Sequence, residues 1–87
     1  MKNDPFFEKP SRIGVHNPLK EDFTVSYDIK GTGVPDLFTV PAQEIAYFMP
    51  AIAEHIKKHL LDAVLNARNL NPIHPKNRED VLNEITV

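Results

Sequence analysis

Between Met49 and Ala67 the apolar positions Met49, Ile52, Ala53, Ile56, Leu60, Ala63, Val64 and Ala67 recur at three- and four-residue steps. That period gathers side chains on one face of a helix and predicts an amphipathic helix over residues 50–69. Pro50 suits its first position, where the missing N–H costs nothing and the fixed φ is already helical. Arg68, Asn69 and the Asn71-Pro72 pair signal its end. Glu54 lies near the positive end of the helix dipole and is placed to pair with Lys58.

Upstream the period changes to two. Phe23, Val25 and Tyr27 alternate with Thr24, Ser26 and Asp28, the pattern of a half-buried strand over 22–28. Lys30-Gly31-Thr32-Gly33 supplies a positive-φ turn, and 37–40 returns as a partner strand. Short apolar runs at 13–17 and 44–48 add two more strands, the second with Ile45 and Tyr47 on one face and Ala46 and Phe48 on the other. The expected fold class is therefore α+β: an antiparallel sheet of three or four strands, about 13–17, 22–28, 37–40 and 44–48, packed by the one long helix.

Both ends read as extended. Residues 1–12 carry two prolines and no period, so they form an arm flanking a 13–69 domain. Its Phe6-Phe7 pair is costly to leave in water, at about 2 kcal/mol or more for each ring. The pair folds back over the chain's own core or plugs a pocket on a neighbour. In the 70–87 tail, Asn71-Pro72-Ile73-His74-Pro75 is extended, and Asn77 with Asp80 would cap a short helix over 77–85 whose apolar side is Val81, Leu82 and Ile85. Leu61 and Leu65 lie off the main stripe, so either the tail helix covers them or another chain does. The expected interface residues are thus Phe6, Phe7, Leu61, Leu65, Ile73, Val81, Leu82 and Ile85.

At 87 residues the chain holds one small core, and with no cysteine it has neither disulfide staples nor thiolate ligands. Small size without staples favours oligomerisation or docking. A net charge of -2 with interspersed signs argues against direct nucleic-acid binding. No apolar run approaches the roughly 20 residues of a membrane span and the first residues lack a signal peptide's apolar stretch, so a product assembled in a cytosol is expected, with no membrane partner.

The most suggestive chemistry is His55, His59 and Asp62, which follow one another on one side of the helix as a nitrogen and oxygen set for zinc or another divalent metal. Ile56 stands where the general-base glutamate of an HExxH protease would be, which removes that mechanism. Lys57 and Lys58 disfavour a cation, and the three residues border the apolar stripe, where amphipathic side chains cover the edge of a core. No metal is expected, and these three are its weak candidates. No serine sits in a nucleophile elbow, Glu21-Asp22 and Glu79-Asp80 are adjacent and point apart, and Gly31-Thr32-Gly33 lacks the rest of a phosphate loop. The expectation is a non-enzyme without cofactors.

With these elements placed, the order Asn17-Pro18, Asp22-Phe23-Thr24-Val25, Tyr27-Asp28, a glycine turn, Phe38-Thr39-Val40-Pro41-Ala42, Phe48, Pro50, Ile52-Ala53-Glu54-His55-Ile56 and Lys58-His59-Leu60 resembles small uncharacterised proteins of tailed bacteriophages. The likeness covers Asn17 to about Asn66 and omits both ends. It implies a virion structural component, such as a minor capsid, cement or head-to-tail connector subunit, assembled in the host cytoplasm. Its partners would be other virion proteins, the major capsid protein or copies of itself, and the resemblance carries no catalytic residues. An alternative is a small intracellular adaptor or regulatory domain that binds a host or phage protein through Leu61 and Leu65.

Overall fold

The computed structural model describes residues 11–87, so Phe6 and Phe7 and nearly all of the expected arm lie outside the described residues. Four strands, β1 (Ile13–His16), β2 (Phe23–Tyr27), β3 (Asp36–Val40) and β4 (Ile45–Phe48), precede two helices, α1 (Pro50–Ala67) and α2 (Pro75–Ile85). The chain is α+β. The strands do not form one sheet, however: β2 and β3 make one antiparallel ribbon, and β1 and β4 make another. At Asn17 the two ribbons are linked by a side chain instead of a backbone ladder.

Asn17 is fully buried, the one buried polar residue among those described. Its Nδ2 donates to the carbonyls of Glu21 and Val40, both at 2.9 Å, and its Oδ1 accepts from the Leu19 N–H at 2.9 Å. Its own N–H donates to the Glu44 carbonyl at 2.9 Å. Asp22 then accepts from the Ala42 N–H at 2.9 Å, and Gln43, held at φ 61°, donates from Nε2 to the carbonyl of Pro18 at 3.1 Å. A buried polar group is tolerated when its hydrogen bonds are met. The Asn-Pro, Asp-Phe and Val-Pro-Ala signatures are thereby explained as one junction: separated in sequence, they knit the 17–22 and 41–44 connections together.

Helix α1 starts as its sequence predicts, with Pro50 in the first turn, but ends at Ala67, two residues short of the expected 69, because Arg68 caps it and Asn69 turns to φ 56°. The Leu70 N–H bonds the Leu65 carbonyl at 2.9 Å and the Asn69 N–H bonds that of Asn66 at 3.1 Å, a Schellman closure. Ala53, Ile56, Leu60 and Val64 of the predicted stripe are completely buried. Met49 is not part of that face: its backbone is extended, just outside the helix, and its side chain is half exposed. Glu54 pairs with Lys57 at 2.6 Å and not with Lys58.

The tail is not an arm. Pro75 opens α2 as Pro50 opens α1, two residues before the expected start, so Asn77 sits inside the helix and donates to the Asn71 carbonyl at 3.3 Å instead of capping. The helix lies on α1, clasped by Asp62–Arg78 at 3.1 Å and by the paired oxygens of Glu84 on Arg68. Beyond it Thr86 bridges Val15, and the Val87 N–H bonds the Gly14 carbonyl at 3.3 Å, so the chain returns to the free edge of β1. A Cβ at Gly14 would stand 2.9 Å from the Tyr47 ring and 3.2 Å from the Val87 side chain, so a larger residue would have to displace both.

Candidate interaction surface

Four of the expected interface residues belong to the core. Leu65 and Ile85 are inaccessible, Val81 nearly so, and Leu61 is 7% exposed. On the α1 wheel Leu61 and Leu65 fall between Asp62 and Arg68, the two residues that clasp α2, so the helix between those clasps is what covers them. Each such burial is worth about 2 kcal/mol to this fold and removes the side chain from any partner. Ile73 and Leu82 do reach the surface, at 81% and 39% exposed. Phe6 and Phe7 lie outside the described residues.

Further apolar side chains are exposed on the β2–β3 ribbon and in the loop at its tip. Strand alternation turns Phe23, Val25, Phe38 and Val40 inward and leaves Leu37, opposite Ser26, facing water at 72% exposed. Val34, in the connecting loop, is 70% exposed. The loop is held by Asp28, whose carboxylate accepts from the Gly33 N–H at 3.0 Å and from the Thr32 hydroxyl at 3.2 Å. Lys30, Gly31 and Gly33 adopt positive φ, as the glycine-rich turn predicts. Beside this tip, Tyr27 and Ile29 of the ribbon face Met49, Pro50 and Ile52 of the start of α1 across an apolar cleft of about 420 Å³. Tyr47 and Ile45, on the outer face of the β1–β4 ribbon, are also about half exposed. The hint in the sequence was Val34-Pro35-Asp36-Leu37, where two apolar residues flank a turn signal with no periodicity to bury them.

The histidines are brought together and their carboxylate is not. His55 and His59 stand with ring centres 4.5 Å apart, and His55 also lies 4.5 Å from the Tyr27 ring. His55 Nε2 is 3.1 Å from the Ser26 carbonyl oxygen, which can only accept, so Nε2 carries the proton in that bond. Asp62 is turned to Arg78 instead. Among the described residues no three His, Cys, Asp or Glu side chains group closely enough to hold a metal.

The charged groups with shifted pKa values are structural ties. The Arg68 hydrogen bond holds the Glu84 carboxyl below its usual range, with burial opposing it, and raises Arg68 in turn. Among the described residues no helix is long and apolar enough to cross a membrane. No family model, curated protein or solved structure matches this chain.

Proposed function

We propose that this chain is a non-enzymatic structural subunit of a bacteriophage particle, a minor capsid, cement or head-to-tail connector protein. It packs against other virion proteins, the major capsid protein or further copies of itself. The observation that carries this reading is a set of apolar side chains left in water, Val34 and Leu37 on the β2–β3 hairpin and, separately, Met49 at the cleft where α1 begins. A chain of 87 residues that buries Leu60, Leu65 and Ile85 completely, yet leaves these side chains in water, has surface suited to a neighbour. The resemblance of residues 17–66 to small phage proteins supplies the kind of neighbour. An adaptor binding a host or phage protein loses Leu61 and Leu65 as its contact surface, because both are interior.

The test is genetic and structural together. A phage carrying an amber codon in this reading frame is grown in suppressing and non-suppressing hosts, and the products are separated by density gradient and imaged. Stalled or leaking particles without suppression, restored by suppression, are expected. Full-yield infectious particles that lack the chain would exclude a structural role.

A further inference from the structure

We propose that His55 and His59 form a two-nitrogen binding site for a divalent transition metal, best suited to copper(II), independently of the structural role proposed above. One turn of α1 separates them, and helical side chains lean toward the N-terminus, so His59 is directed back over His55. The bond from His55 Nε2 to the Ser26 carbonyl fixes that ring against β2 and leaves the lone pair on Nδ1. The Tyr27 ring packs on it with centres 4.5 Å apart. His59 is exposed and free to turn, so one ring is held and the other adapts. Both border a shallow open hollow with Val25 and Ser26.

The donor set selects the metal. Ring centres 4.5 Å apart put the two imidazoles within reach of one ion. Two imidazole nitrogens with water in the remaining positions suit the square or tetragonal complexes of copper(II) and nickel(II), whereas a zinc site would call for further protein ligands. Copper also binds nitrogen donors most strongly in the first-row series. The cations nearby are disposed of in part: Lys57 is paired with Glu54 at 2.6 Å, and Lys58 is exposed. Asp62 is held by Arg78 and is not a ligand in this arrangement, so water completes the coordination.

The full chain is titrated with copper(II) chloride in a non-coordinating buffer, read by calorimetry and by electron paramagnetic resonance. One saturable equivalent is expected, with an axial spectrum split by two nitrogens, and weaker binding of nickel(II). His59→Ala, at an exposed position, removes one arm of the chelate and weakens binding by roughly tenfold or more. His59→Gln provides the same test should the alanine variant lose its far-UV circular dichroism. Substituting His16 or His74, elsewhere on the surface, leaves the affinity unchanged. Equal copper affinity in wild type and His59 variants, or a spectrum with one nitrogen, would overturn the assignment.

Discussion

Replacing Asn17 with alanine should cost more than any other polar substitution among the described residues. The side chain makes three hydrogen bonds at 2.9 Å from a site with no solvent access. One acceptor, the Val40 carbonyl, belongs to a residue that is itself fully buried, and leaving it unpaired costs about 1–3 kcal/mol. The Leu19 N–H and Glu21 carbonyl are closer to water and recover part of their solvation, adding roughly 0.5–1 kcal/mol each. The total is about 3 kcal/mol, against a stability of roughly 4–13 kcal/mol for a domain of this length. At roughly 4–8 °C per kcal/mol, the melting temperature should fall by about 12–24 °C. Asn17→Asp should be at least as damaging at neutral pH, since it sets a buried carboxylate against two carbonyl oxygens. The new carboxyl would titrate above its unfolded value, so this variant should regain stability as the pH is lowered and lose it again as the pH rises through the folded value. Urea melts followed by circular dichroism read all three proteins, with exposed Lys58→Ala on α1 as the control expected to change stability by less than about 0.5 kcal/mol. A loss below about 0.5 kcal/mol for Asn17→Ala would mean that the two ribbons are not held together through this residue.

Three further outcomes follow from the same structure. Leu65→Ala should lower stability by about 2–5 kcal/mol and Leu65→Glu should unfold the chain, whereas Leu37→Asp should stay within about 0.5 kcal/mol; urea melts giving the opposite ranking would put Leu65 back on the surface. Because the Glu84 carboxyl titrates below its unfolded value, its tie to Arg68 stabilises the fold above about pH 4.5 and is lost as the pH falls through the folded value. The pair is about 40% exposed, so Glu84→Gln should cost only about 0.5 kcal/mol at pH 7 and less in acid; an equal cost at both pH values would refute the linkage. Gly14→Val should destabilise by about 1–3 kcal/mol by forcing Tyr47 and Val87 away from β1, and an unchanged melt would show that this edge is loose.

Helix α1 and the β2–β3 hairpin were legible because their signals are local: a 3.6-residue stripe behind Pro50, a two-residue alternation, and a glycine turn. The same logic applied to Pro75 would have found the start of α2, but beside Asn71-Pro72 it reads as one more extended proline. The link between the two ribbons was not legible, because it depends on an asparagine side chain reaching Val40, 23 residues away. Leu61 and Leu65 were ambiguous for a physical reason: α1 is covered on two sides, by the ribbons and by α2, so its apolar sector is wider than a single stripe. The His55–His59 pairing could be read from spacing, yet the diversion of Asp62 needed Arg78, whose approach is a tertiary event. Leu37 and Val34 carried no signal beyond being apolar beside a turn.

A structural role in a virion is tested most directly by quantitative mass spectrometry of gradient-purified particles, counting this chain against the most abundant shell protein. A fixed stoichiometry is expected: comparable numbers for a capsid or cement subunit, or about a dozen copies for a connector ring, as closed rotational symmetry requires. Particles that contain none of the chain, while it accumulates in the surrounding lysate, would contradict it.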